Sequence, residues 1–261
     1  MTSLCIKSEC APLLTDRDLA PVTLLNEAST HPVLLVCEHA GQGIPESLLG
    51  LGLKPGDLDR HIGWDIGAAA VTRRLAHMSG APAVMQNFSR LVIDCNRPPE
   101  ATDAMPTISD QTTVPGNWAL SEDDRAARVR EIFNPYQSAV SAALSHPARR
   151  LVISIHSFTP ILAGVVRHWD VAFLYRGDAQ SPAHLRQSLL LQDPTLTIGM
   201  NEPYQIEDAS DWFVPRHGEA SGLPHSLIEI RNDLISENEG QDRWAALLNH
   251  ATKSVLEGIH R

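Results

Sequence analysis

The chain has 261 residues, 43% of them hydrophobic, enough for one sizeable domain with an ordinary soluble core. Its formal net charge of −10 argues against nucleic acid or an anionic membrane as partner, but leaves room for a small anionic ligand in a local basic pocket. No apolar run approaches the roughly 18 residues of a membrane span, and the N-terminus lacks the basic-then-apolar order of a secretory signal.

Residues 1–31 read as an irregular lead-in, and the apolar run at 33–37 as a buried strand that ends abruptly in Glu38 and His39. From Asp57 the apolar spacing turns helical and stops at Gly80, which predicts a helix with Asp57 or Asp59 as N-cap. A strand into Phe88 and another over Leu91 to Cys95 follow, closed by Pro98 and Pro99. Residues 99–120 have little periodicity and read as a long loop able to act as a lid. Ser121 caps a helix with an acidic first turn, bent at Pro135. "RLVISIHSF" is a second buried strand, ending in a histidine like the first; "VAFLYRG" is a third, and the helix "SPAHLRQSLLLQ" follows it. "LPHSLIEIRNDLI" is a further strand before a C-terminal helix. Alternating strands and helices predict an α/β fold, a mainly parallel or mixed central sheet flanked by helices, in a single domain over 1–261. Cys5, Cys10, Cys37 and Cys95 form no CxxC pair and suit free thiols in a reducing cytoplasm, Cys37 and Cys95 as small core residues.

In such a sheet ligands bind beyond the C-terminal ends of strands, so the polar residues that follow apolar runs carry the functional expectation. His39 and His156 hold equivalent places and point to one crevice. His61 and Asp65, four apart on a predicted helix, share a face and could reach the same ion. Together they make a mixed imidazole–carboxylate zinc site with a vacancy for water, against the plainer reading of hydrogen-bonded structural histidines. In "SRLVIDCNRP", strand alternation puts Asp94 and Asn96 on one face, with Arg90; two guanidiniums and an amide suit a substrate carboxylate, and an Arg97–Asp94 brace is the equal alternative. Glu229, between Ile228 and Ile230, is either a desolvated acid–base group or a solvent-facing edge residue. His217 lies in a glycine-containing loop, and Asn201 and Tyr204 in a turn that could line a pocket.

The motifs "CEHAGQGIP", "HIGWDIGAA", "SRLVIDCNRPP", "IHSFTP" and "GLPHSLIEIRNDLI", in this order over about 33–255, resemble the N-formylglutamate amidohydrolase family, itself related to zinc carboxypeptidases and the aspartoacylase group. The resemblance implies a zinc-carboxypeptidase-like (phosphorylase/hydrolase-like) fold, one zinc ion, and cleavage of a small anionic N-acyl amino acid. It implies His39 and His156 as ligands, Glu229 as general base, and Arg90, Asp94, Asn96 and Arg97 as a clamp for the substrate carboxylate. The mechanism built on it puts Arg90 with the metal at the oxyanion, Asn96 and Arg97 at the carboxylate, and His217 at the oxyanion or the substrate's other end. The carboxypeptidase pattern has a glutamate three residues after its first ligand histidine, where this chain has Gln42. The third ligand is therefore expected at His61, with Asp65 or Glu38 as alternatives or as supports for the imidazoles. A different acyl amide or peptide as substrate, and a metal-free binding protein, are the rival readings.

Overall fold

The structure, a computed structural model, describes residues 12–259; the first eleven residues of the expected lead-in, with Cys5 and Cys10, lie outside them. In chain order the elements are β1 (Val22–Leu25), β2 (Val33–Cys37), α1 (Ala68–Ser79), β3 (Ala83–Gln86), the hairpin β4 (Ile108–Ser109) and β5 (Thr112–Thr113), and α2 (Glu122–Arg128). After these come α3 (Asn134–Leu144), β6 (Leu151–Phe158), the hairpin β7 (Ile161–Leu162) and β8 (Val165–Val166), β9 (Val171–Leu174), α4 (Gln180–Gln192), β10 (Ile198–Met200), β11 (His225–Arg231) and α5 (Asn238–Ile259).

Seven strands form one mixed sheet in the order β1-β3-β2-β6-β11-β9-β10. The central four, β3, β2, β6 and β11, are parallel to one another, while β1 at one edge and β9 beside β11 run antiparallel. The parallel block brings the C-terminal ends of β2, β6 and β11 side by side, and the register sets Glu229 against His156. Strand alternation divides the core. Val33, Leu35 and Cys37 face α1, α4 and α5; Leu34 and Val36 face the layer of α3 and residues 88–95. Both faces are covered, which is why these strands read as unbroken apolar runs rather than alternating ones.

The helical stretch after α2 passes through a wider turn at Val129–Phe133, immediately before Pro135. Proline supplies no N–H and its ring crowds the carbonyl one turn back, and the widened turn relieves both. Ser121 caps α2 as expected, in a reciprocal capping box with Asp124.

Three expectations are corrected. The helix predicted from Asp57 begins only at Ala68; residues 57–66 are tight turns held by bonds such as Gly63 N to Arg60 O at 2.9 Å. Gly67, at φ 82, separates the two, so no shared helical face joins His61 to Asp65. Residues 91–95 are not a strand but a buried turn-rich segment, fixed by Val92 N to Ser89 O (2.9 Å) and Asp94 N to Ala104 O (2.8 Å). A short apolar run signals burial, and burial alone does not choose a strand. The lead-in contains β1, paired with β3.

Gly67 carries a direct prediction. A Cβ there would lie 2.2 Å from the carbonyl oxygen of Ile235, and the left-handed backbone adds its own cost of about 1–2 kcal/mol for an L side chain. Gly67→Ala is expected to lower unfolding free energy by at least about 2 kcal/mol, read as a lower urea midpoint at unchanged slope.

Candidate active site

Beyond the ends of β2, β6 and β11 lies a cleft of about 430 Å³ that holds His39, Asp65, His156 and Glu229 together with Arg90, Asp94, Asn96 and Arg97. Two of these positions follow from strand ends alone: His39 is two residues past β2, and His156 is near the end of β6. Asp65 arrives by the turns after residue 57, and its backbone N–H donates to the His39 carbonyl at 3.0 Å. Its Oδ2 then accepts from the Ser157 N–H at 3.1 Å, which locks the carboxylate against both strands.

Each imidazole is fixed from behind by a carboxylate. His39 Nε2 donates to Asp94 Oδ1 at 2.7 Å, and His156 Nε2 donates to Glu38 Oε2 at 2.9 Å, where Ser154 Oγ also donates at 2.6 Å. These assignments follow from the partners, because an ionised carboxylate only accepts. Burial alone would raise both acids. For Asp94 the Arg90 guanidinium and His39 outweigh it and hold the pKa well down; for Glu38 the bond and charge of His156, with the bond from Ser154, bring the pKa below its ordinary value. With both Nε2 atoms committed, the two Nδ1 atoms face each other at 3.1 Å, and Asp65 Oδ2 lies 2.9 Å from one and 3.4 Å from the other.

Two buried nitrogen lone pairs at that separation repel unless a cation or proton stands between them. Ligand atoms about 2.0–2.1 Å from a tetrahedral zinc would be about 3.3–3.4 Å apart, close to the three spacings seen. The donor set His39, Asp65 and His156 therefore fits a divalent ion with one position left open. The carboxylates behind the rings predict a graded effect. Asp94→Asn is expected to weaken zinc affinity by roughly 10- to 100-fold without abolishing it, measured by competition with a chromophoric chelator.

Glu229 is 8% exposed, and its Oε2 has no hydrogen-bond partner. Leu227, two residues earlier on the same strand face, and Leu174 opposite it share the cleft wall. Burial pushes the Glu229 pKa up to about 7; Asp65 adds to the rise, while His156, His39 and Arg90 oppose it. The group is poised between acid and base near neutral pH.

Arg90 donates to Asp94 Oδ2 at 2.7 Å and lies 3.4 Å from Asp65 Oδ1. Arg97 is 3.1 Å from Asp103 and donates to the Ser210 carbonyl at 2.9 Å. Asn96 Oδ1 accepts from the Phe213 N–H at 2.8 Å, which leaves its NH2 as the group available to a ligand. Arg97 braces Asp94 at 3.6 Å, the plainer of its two expected roles, and it also lines the cleft. Tyr204 lines it too, with its hydroxyl accepting from Arg167 at 2.8 Å.

Three sequence expectations, at His61, His217 and Asn201, are not met by the geometry. His61 stands apart from the two histidines, with Nε2 3.5 Å from Asp110 Oδ2, because the turns that deliver Asp65 carry His61 outward. Of the two places expected for Glu38, the structure gives the supporting one: it accepts from His156 from behind and is outside the donor set. His217 is buried away from the cleft, bonded through Nε2 to Gln137 Oε1 at 2.6 Å. Asn201 spends its side-chain oxygen on the Tyr175 N–H at 2.9 Å, a structural role in its turn. Sequence reasoning did not single out Asp211, which lines the cleft near Arg97, or Arg167; nothing local to either marks it.

Likeness to known proteins agrees with this architecture. A structure of a gene product from Agrobacterium tumefaciens is 37% identical, with a TM-score of 0.88, over 95% of this chain and 100% of that one. The structure of N-formylglutamate amidohydrolase from Ralstonia eutropha is 20% identical, with a TM-score of 0.66, over 93% of this chain and 99% of that one. No curated protein matches in sequence. The class is that of an amide hydrolase built on a mixed sheet flanked by helices. Residues 31–236 match the family model of N-formylglutamate amidohydrolase, and the chain belongs to that family.

Proposed function

We propose that the protein is a zinc-dependent amidohydrolase that cleaves the amide of a small anionic N-acyl amino acid, N-formyl or similar. The observation that carries this reading is the facing pair of Nδ1 atoms with Asp65, set beside a buried carboxyl that has an unpartnered oxygen. His39, Asp65 and His156 would hold the ion. Bound there, zinc supplies a polarised carbonyl and a water of lowered pKa.

The chain's own residues do the rest. Glu229 takes the proton of the attacking water and returns it to the leaving nitrogen, a shuttle that suits a pKa near 7. Arg90, held rigidly by Asp94 and Asp65, offers positive charge to the oxyanion. Arg97 and the Asn96 amide take the α-carboxylate and so position the scissile bond. Leu174 and Leu227 keep the Glu229 side of the cleft poorly hydrated. No helix among the described residues is long and apolar enough to cross a membrane. The buried free thiols Cys37 and Cys95 support the cytoplasm as the place of action.

The test is metal analysis of the purified protein followed by a panel of N-formyl and N-acetyl amino acids. About one zinc per chain, with turnover abolished by a chelator and restored by zinc, is the expected result. Full turnover in metal-free protein would overturn the reading.

A further inference from the structure

The cleft continues past the histidines into a second lobe of about 480 Å³. Asp65, Arg90, Asp94, Arg97, Ser157 and Tyr204 line both lobes and form the border between them. His39, His156 and Glu229 belong to the first lobe only. The second lobe is walled by Ile108 from the β4–β5 hairpin, Leu162 from the β7–β8 hairpin, and Phe158 at the end of β6, with Ile62 and Leu91 between. Each lobe alone falls within the roughly 300–1,000 Å³ that holds a ligand of moderate size. A formyl group and an α-carboxylate do not need the second.

Its charge restricts what can enter. Six carboxylates line the two lobes, those of Asp65, Asp94, Asp103, Asp110, Asp211 and Glu229, against two guanidiniums. Both guanidiniums already face carboxylates, Arg90 at 2.7 Å and Arg97 at 3.1 Å. The cation nearest Asp110, Arg60, is spent on it at 2.9 Å. His61, the remaining basic group on the wall, has its pKa lowered chiefly by burial. One carboxylate can be met at Arg97 and Asn96. A second, carried deeper, would face Asp103 and Asp110 with no fresh partner.

The substrate's connectivity decides which group goes there. The α-carbon bonds directly to the scissile nitrogen and to the carboxylate carbon. If the amide lies at His39, His156 and Glu229 and the carboxylate at the border, the α-carbon is at the border too. Its side chain is then the branch that reaches the second lobe. We infer that the substrate is a monocarboxylate: an N-acyl derivative of an amino acid with an apolar side chain, seated among Ile62, Ile108, Phe158 and Leu162, with glutamate-type dicarboxylates disfavoured. This rests on the amide-hydrolase reading above.

The experiment compares N-formyl-leucine, N-formyl-glutamate and N-formyl-lysine with zinc-loaded protein, by kcat/KM and by calorimetric binding. The leucine compound is expected to lead both others by roughly 10- to 100-fold, the gain from burying its side chain. Leu162→Arg, on a half-buried hairpin position, is expected to swing preference toward the glutamate compound; Ile108→Arg, on the other hairpin, replaces it if the first variant fails to fold. A wild-type preference for glutamate or lysine, or equal rates for all three, overturns the inference. Tight, leucine-selective binding without hydrolysis would uphold it and sink the hydrolase reading instead. No binding of any of the three overturns it.

Discussion

Glu229→Gln is expected to lower kcat by roughly 10²- to 10⁴-fold while leaving zinc content unchanged. Glutamine has nearly the same shape, so Leu227 and Leu174 keep their neighbour and the strand keeps its register. It cannot accept a proton at the unpartnered Oε2 position. Glu229 is also outside the His39–Asp65–His156 donor set, which separates loss of proton transfer from loss of metal. Steady-state kinetics with the best N-acyl substrate and elemental analysis of the same sample check this. Near-normal turnover with full metal would assign the proton transfer to another group. A variant that loses its metal would show Glu229 to be a ligand.

The second large effect separates Asp65 from His61. Asp65→Ala is expected to abolish stoichiometric zinc binding and reduce turnover to background, because it removes a donor within 3.4 Å of both ring nitrogens. It also frees two facing imidazoles of their shared carboxylate. His61→Ala should retain about one zinc per chain, since the His61 ring lies beside Asp110, at 3.5 Å, and outside the donor set. Elemental analysis of the two variants gives the answer, with circular dichroism to verify folding. Zinc lost in His61→Ala and kept in Asp65→Ala would reverse the assignment of the third ligand.

Much of this centre is legible in the linear sequence, and the residues that are not share a cause. His39, His156 and Glu229 follow apolar runs, so strand recognition alone sends them to one end of a sheet. Arg90, Asp94, Asn96 and Arg97 were recognisable as a cluster because they lie within eight residues. The alternation used to orient them was wrong, since 91–95 is turn-rich, yet the cluster still reaches the cleft. For Asp65 the sequence offers only a place beside His61 at the same ion or in its stead, and does not choose between them. The decisive contact, its N–H to the His39 carbonyl, spans 26 residues and leaves no periodic trace. His217 has the composition of a site residue and the environment of a core one, bonded to Gln137 on a helix 80 residues away.

The sequence by itself determined the central buried strands and the chemistry available: apolar runs set β2, β6 and β11, and strand ends carry function because a sheet's side chains run out of core there. Tertiary structure decided the rest. It chose Asp65 over His61, placed Asp94 and Glu38 behind the rings, and made the hairpins at 108–113 and 161–166 into the wall of a second lobe. The physical reason is range. Propensity and periodicity are local and survive in the sequence pattern, whereas a ligand triangle with 2.9–3.4 Å edges depends on backbone bonds between segments that only folding brings together.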